Sequence, residues 1–438
     1  PDAQTIEVQA PKVELTLQDP RDINAVADAV VRQAGQEGSI NVDAKVKNLF
    51  GADRRLSLNT AEFDVHAKVD RLPMELIDQL ANTRGKVVAL IGPTLAAQVQ
   101  AIGKLDNLSV QTQADAEHFN LDGRVVMTDA GIEVKETPGA NLTITPDALA
   151  MLIDGARIAQ PIQVQARVTR LSLPRAADGS VDIGQLAAAV EASVSDADIT
   201  LPKLGVVTLR DAGAQVKTDA LAKRVDATAS VQAGVNQNTG SLKLAAAVNN
   251  LLAAGGKVDY ARADVSLNAS AASVPTAVVD ELLSLDKLLT TSLGDVINAS
   301  VDGRVASFDK RGLGSMQIAM TTPLLQVKTQ AEITEQDIHL TPGELLTYHL
   351  TPQTLAQWMP KDEQGQPTIN LARSTTIVLT LDQAKLPRAG GTFEFDRATV
   401  GLHGAVDRVQ LAGVDAIKDV WLQAVTMQVP ETRLSELV

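Results

Sequence analysis

Along most of the chain apolar and polar residues alternate with period two, the mark of a strand with one face against an apolar environment and the other in water. Ile40, Val42, Ala44 and Val46 interleave with Asn41, Asp43, Lys45 and Lys47. The alternation returns at Ala61 to Val69, Val164 to Val168, Val265 to Ala271, Leu325 to Ile333 and Ile377 to Leu381. Its parity slips between Leu58 and Ala61, which predicts a bulge near Asn59 and Thr60. Short turn signals separate the runs: Asp122-Gly123, Asp178-Gly179, Asn238-Thr239-Gly240, Gly255-Gly256 and Asp302-Gly303. The expected fold is mainly β with short interspersed helices, an antiparallel meander that buries one sheet face.

The helices are predicted from their punctuation. Pro73 and Pro275 suit a first helical position, and Leu76, Leu80, Val87 and Ile91 follow at helical spacing until Gly92 ends the run. Asp19 can cap a helix that begins at Pro20 and ends before Gly35. Thr341-Pro342-Gly343-Glu344 reads as a capping box, and Thr351-Pro352 starts another short helix ending near Met359-Pro360. Elements this short serve as lids or plugs at the ends of sheet segments. The stripes of Pro73 to Ile91 and of Leu282 to Leu293 are expected to pack on the apolar face, with Leu80 and Leu282 buried.

Sliding the chain against itself by 202 positions brings the segment from Ser39 onto the segment from Ser241 without a gap. Ala44/Ala246, Asn48/Asn250, Leu49/Leu251, Ala61/Ala263, Pro73/Pro275, Asp78/Asp280, Leu80/Leu282 and Gly92/Gly294 coincide, and most other inward positions stay aliphatic. Further on, the segment from Asn141 (NLTITPDAL) resembles that from Asp337 (DIHLTPGEL), and that from Leu171 (LSLPR) resembles that from Ala384 (AKLPR). One unit is therefore about 200 residues. The chain is expected to hold the tail of one unit (1–71), a complete unit (72–273) and most of a third (274–438), with both ends reading as cuts in a longer repeated protein.

Composition narrows the classes. Of 438 residues 45% are hydrophobic but only 2% aromatic, so the apolar side chains are nearly all Ala, Val, Leu and Ile. That suits thin, repetitive packing better than one deep core. A net charge of -14 without basic runs argues against nucleic acid. The absence of cysteine removes disulfides, thiolate metal sites and Cys nucleophiles together. No stretch approaches the roughly 18 uncharged apolar residues of a membrane span.

The residues hold no recognisable catalytic arrangement. His66, His118, His339, His349 and His403 are scattered, and His66 falls on the polar face of its strand, opposite in the repeat to Asn268. GLGSM from Gly312 to Met316 is no phosphate loop, since no helix with a basic residue follows, and reads as a hairpin turn. Asp196 with Asp198 and Asp362 with Glu363 lack calcium or glycosidase spacing and read as solvated surface. Asp78 and Asp280 recur at one place in the Pro-initiated helix, which points to a folding role. No enzyme activity, metal or cofactor is expected.

The helices LPMELIDQL from Leu72, the exit LIGPTL from Leu90 and the insertions ITPDAL from Ile144 and LTPGEL from Leu340, set in long alternating meanders, resemble the large AsmA-like and TamB-like bacterial envelope proteins. The second unit departs from the exit motif, with LGDVI from Leu293. The resemblance covers nearly the whole chain at the level of fold. It implies an elongated, twisted, U-shaped β-sheet in the periplasm, anchored through a segment outside this chain, that holds or conducts phospholipid between inner and outer membranes together with components of both. On that reading Ile40, Val42, Ala44 and Val46, and in the next unit Leu242, Leu244, Ala246 and Val248, line an apolar groove open to acyl chains. The alternative is a structural or adhesive β-repeat array of the cell surface, in which the same residues fill closed sandwich cores.

Overall fold

The computed structural model describes residues 7–433 except 20–21, 34, 51–54, 58–59, 177–179, 203, 236–237, 254–255, 284, 286, 307–311, 362–364, 390–391 and 415–416. Two compact units emerge, residues 1–202 with 209–225, and residues 203–208 with 226–438.

The first unit is a meander. Its opening strands are β1 (Glu7–Asp19), β2 (Asp22–Gln33), β3 (Gln36–Lys47) and β4 (Glu62–Pro73). Helices α1 (Met74–Ala81) and α2 (Lys86–Ile91) lead into β5 (Thr94–Lys104), β6 (Asn107–Ala116), β7 (Phe119–Thr128) and β8 (Gly131–Ile144). After α3 (Pro146–Leu152) come β9 (Arg157–Ile158), β10 (Ile162–Pro174), β11 (Ala187–Val194), β12 (Ala197–Leu201) and β13 (Gly205–Ala220). Each strand from β1 to β8 pairs antiparallel with the next, then β8 with β10, β10 with β11 and β11 with β13, while β9 and β12 form a small side pair.

The second unit repeats the plan. It comprises β14 (Arg224–Val235), β15 (Asn238–Asn249), β16 (Asp264–Pro275), α4 (Thr276–Leu282), α5 (Leu288–Leu293), β17 (Val296–Ala306), β18 (Leu313–Thr321) and β19 (Leu325–Ile333). Then follow β20 (Asp337–Leu340), β21 (Gly343–Leu350), α6 (Pro352–Trp358), β22 (Asn370–Leu371), β23 (Thr375–Ala389), β24 (Thr392–Phe393), β25 (Thr399–Val414) and β26 (Ile417–Arg433). Strands β15 to β19 pair in order, β19 with both β20 and β21, those two with β23, and β23 with β25 and β25 with β26, all antiparallel.

The 202-residue register holds in detail. β3 and β15, β4 and β16, β5 and β17, and α2 and α5 have the same bounds under that shift. Asn48 and Asn250 both take positive φ, as do Gly92 and Gly294. Isolated bridges join Phe50 to Leu56 and Leu252 to Val258. A one-residue slip would turn every strand side chain to the other face, so agreement at this level fixes the repeat.

Several expectations are corrected. The segment predicted as a helix after Asp19 is β2, paired on both sides, with Ile23, Ala25, Ala27 and Ala29 opposite Val46, Ala44, Val42 and Ile40. The Asp19-Pro20 and Gly35 punctuation suits a helix, but Ile23, Ala25, Ala27, Ala29 and Val31 alternate as in a strand. The run from Pro73 to Ile91 is two helices, because Asn82, Arg84 and Gly85 adopt left-handed backbone between them; Pro73 and Pro275 stand at the N-cap rather than inside the first turn. Thr341-Pro342-Gly343-Glu344 starts no helix; β21 begins at Gly343. Its counterpart is Thr137-Pro138-Gly139 within β8, whereas the helix-starting Thr145-Pro146 of α3 matches Thr351-Pro352 of α6. Both of those threonines cap, accepting from Ala148 and Thr354 N–H respectively at 3.2 Å.

Three of the Gly-containing turn signals lie inside strands: Asp122-Gly123 in β7, Asn238-Thr239-Gly240 in β15 and Asp302-Gly303 in β17. Close approach explains two of them. A Cβ on Gly123 would stand 2.7 Å from Pro138 Cβ, and one on Gly240 would stand 2.5 Å from Val274 Cα. Gly314 likewise sits within β18 rather than in a turn. Leu58, Asn59, Asp178, Gly179, Gly255, Asp362 and Glu363 lie outside the described residues, so the bulge expected at Asn59, the turn at Asp178-Gly179, half of that at Gly255-Gly256 and one acid pair do too.

Candidate functional site

Directly opposed residues of antiparallel strands share a face, so the registers trace each face residue by residue. In the first unit Ala27–Val42–Ala67–Val99 and Ala25–Ala44–Val65–Ala101–Val110–Val125 form adjoining apolar rows. The opposite face reads Asp28–Asn41–Lys68–Gln98–Gln113–Asp122 and Asp43–His66–Gln100–Gln111–Arg124. His66 Nε2 lies 2.7 Å from Asp64 on that polar face, at a position 41% exposed. The two faces are chemically segregated across strand after strand.

The helices close one end of the apolar face. In the first unit Leu149 of α3 joins Ala156, Ile158, Ile162 and Ala197 in a buried cluster against which Ile144 and Val194 pack. In the second, Leu325, Tyr348, Leu350 and Leu371 are buried, and Leu293 of α5 and Leu355 of α6 cover them. Tyr348 donates to Ser292 C=O at 2.8 Å and stacks on Trp358 at 5.9 Å; burial pushes its phenol pKa up, a bond with Thr354 partly opposing this. Leu80 takes no part: it is 74% exposed, which corrects the expectation that it plugs the face. The buried residues of α1 are Met74 and Asp78, and the side chain of Leu282 lies outside the described set.

Asp78 and Asp280 hold the helix pairs together. The Asp78 carboxylate accepts from Val87 and Val88 N–H at 3.0 and 2.9 Å and from the Thr83 hydroxyl. Asp280 accepts from Leu289 and Thr290 N–H, each at 2.8 Å, and from Thr290 Oγ1 at 2.7 Å. Each acid, late in one helix, caps the start of the next. Burial pushes the Asp78 pKa up, but the bonds from Thr83, Val88 and Val87 outweigh it and leave the group below its ordinary value.

Away from the helices the apolar face is less covered. Ile40, Val42, Ala44 and Val46 are half-buried in β3. In the second unit Leu242 and Leu244 are 46% and 43% exposed, while Ala246 and Val248 are half-buried. Leu242 stands opposite Ala271 and Leu244 opposite Ala269, and those alanines stand opposite Ala299 and Val301. With Ala229 and Val231 these residues line a trough of about 350 Å³. The sequence reading stopped at β15 and missed this alanine floor; the repeat carries a signal for it, since Ala269, Ala299 and Val301 fall on Ala67, Ala97 and Val99.

Other concave or charged features are of a different kind. A cavity of about 910 Å³ between α1, α2 and α3 is lined by Glu75, Asp78, Arg84, Glu117, His118 and Asp147 among others. Asp337 meets Lys385 at 2.8 Å and the Thr334 hydroxyl at 2.7 Å, and these bonds hold its carboxyl at about 2. Among the described residues no group of three or more His, Asp or Glu side chains is placed to hold a metal ion. No described helix is long and apolar enough to cross a membrane. The chain has no significant match among family models, curated proteins or solved structures.

Proposed function

We propose that this chain is a non-enzymatic segment of a large cell-envelope protein that holds or conducts phospholipid acyl chains along the apolar face of its sheets. The observation that carries the reading is the partly uncovered row at Leu242 and Leu244 over the alanine floor. A soluble β-protein ordinarily covers such a face, because large apolar patches left in water favour association. Small side chains make the floor smooth, and each methylene laid on it and removed from water stabilises by up to about 0.8 kcal/mol. The resemblance to the AsmA-like and TamB-like proteins supplies the envelope setting and the traffic between membranes, with anchoring and partner contacts outside this chain. Such a role requires no catalytic group. Mass spectrometry of organic extracts from the protein purified out of its native envelope tests the proposal: co-purifying phospholipid, lost on Leu244→Glu in a protein that still folds, supports it, and lipid-free protein from the unsubstituted chain refutes it.

A further inference from the structure

We propose that the cavity between α1, α2 and α3 binds a zwitterion in which a primary ammonium is joined to a phosphate diester, the chemistry of a phosphoethanolamine head. The cavity lies wholly within the first unit, and its volume of about 910 Å³ is that of a pocket for a small molecule. Charges of both signs line it: Glu75 of α1, Arg84 between the helices, Glu117 and His118 in the turn from β6 to β7, and Asp147 of α3. Val88 and Met151 belong to the apolar part of its wall.

The repeat separates what folds the helix pair from what lines the cavity. Asp78, Gly92 and the capping Thr145 return as Asp280, Gly294 and Thr351. Gly92 lies against Glu117 as Gly294 lies against Pro323, and His118 N–H donates to Ile91 C=O as Leu324 N–H donates to Leu293 C=O. In that alignment Ala277, Asp286, Pro323, Leu324 and Gln353 stand for Glu75, Arg84, Glu117, His118 and Asp147, so none of the five is kept. Glu75 and Asp147 occupy first helical turns, where a carboxylate favours the dipole, but α4 and α6 form with no acid there. The charged lining is therefore surplus to the fold.

Charge selects the ligand. Among the described residues Glu75, Arg84 and Asp147 have no ion-pair partner, and Glu117 pairs only with His118, at 3.9 Å. The Asp78 carboxylate is already engaged by Val87, Val88 and Thr83. Three carboxylates repel a bare anion, and a simple amine leaves Arg84 unpaired; a molecule with both charges satisfies both. A primary ammonium can donate its N–H groups to the carboxylates. A quaternary one is held by aromatic faces, and the described residues lining the cavity include no Phe, Tyr or Trp.

Calorimetric titration of the full chain with three deacylated phosphodiester heads, glycerophosphoethanolamine, glycerophosphocholine and glycerophosphoglycerol, tests the site without acyl chains. Glycerophosphoethanolamine should bind about fivefold tighter than glycerophosphocholine, the factor one exposed ion pair contributes, and Arg84→Gln should weaken it by about the same factor. Glu75→Gln combined with Asp147→Asn should weaken glycerophosphoethanolamine but tighten glycerophosphoglycerol, which also shows that the variant folds. No binding, equal affinities for the three heads, or affinities indifferent to either variant overturn the proposal. Leu244→Glu, which tests the trough, should leave all three affinities unchanged, so failure of the lipid reading and failure of this one are distinguishable. In that Leu244→Glu background dihexanoyl phosphatidylethanolamine separates two sources of the same chemistry: binding tighter than its deacylated head identifies a lipid headgroup, and equal binding a free solute.

Discussion

Asp280→Ala removes one buried carboxylate and leaves three donors, the Leu289 and Thr290 N–H groups and the Thr290 hydroxyl, without their acceptor. Hydrogen bonds to a charged group contribute about 1.5–3 kcal/mol each, but the bonds share one carboxylate whose own desolvation is relieved by its removal. Loss of an N-cap costs about 0.5–2 kcal/mol, and orphan donors at the half-buried Leu289 and Thr290 raise that, giving a net of about 3 kcal/mol. Asp280→Asn keeps an acceptor oxygen and loses the charge, for about 1 kcal/mol. The chain contains two compact units and is not expected to unfold in one step, so the readout is local. Native-state hydrogen exchange at Leu289 and Thr290 should show protection lower by about 100-fold for the Ala variant and about 5-fold for the Asn variant, since 1.4 kcal/mol is a factor of ten. Protection unchanged in Asp280→Ala, or equal losses in the two variants, would refute the capping role and with it the account of why Asp78 and Asp280 recur.

Gln33 is 2% exposed and, among the described residues, neither its Oε1 nor its Nε2 has a partner, while the same repeat position holds buried Val235; Gln33→Leu should stabilise the first unit by about 1–2 kcal/mol in urea unfolding, and a destabilised variant contradicts this. Leu80→Asp should change stability by less than about 0.5 kcal/mol, whereas Leu149→Asp, at a position 5% exposed, should cost several. For Asp337 the folded pKa of about 2 lies below the ordinary 3.8, so its contribution is present above pH 4 and is lost as pH falls toward 2. With Lys385 half-exposed that amounts to about 1–2 kcal/mol, and Asp337→Asn should flatten that part of the acid limb in a pH-unfolding series.

The strands were legible wherever alternation was strict, because a half-buried strand has no other way to satisfy both faces; Leu325–Ile333 is read from sequence with its observed bounds. The repeat was legible for the same reason. Failures share a cause: short polar and glycine signals have two structural meanings. Gly123 and Gly240 are needed for close packing against Pro138 and Val274 rather than for turns, which depends on how the neighbouring strand is seated. Thr-Pro-Gly at Thr341 and Thr-Pro at Thr351 look alike as helix starts, and only the second is followed by a helix, Pro352–Trp358. At the candidate site the strand β15 was visible, but the floor supplied by β16 and β17 emerges from cross-strand register.

If phospholipid runs along this sheet, the face bearing Leu244 is open to it. A photoreactive residue placed at position 244 of the full chain, irradiated in the native envelope, reports what touches that face; Leu244 is 43% exposed, so the probe is tolerated without burying new volume. Adducts with the mass of phospholipid, suppressed by Ala269→Glu on the opposing strand, are the predicted result. Adducts to protein alone, with no lipid at any dose, would contradict the account and favour a face covered by other protein.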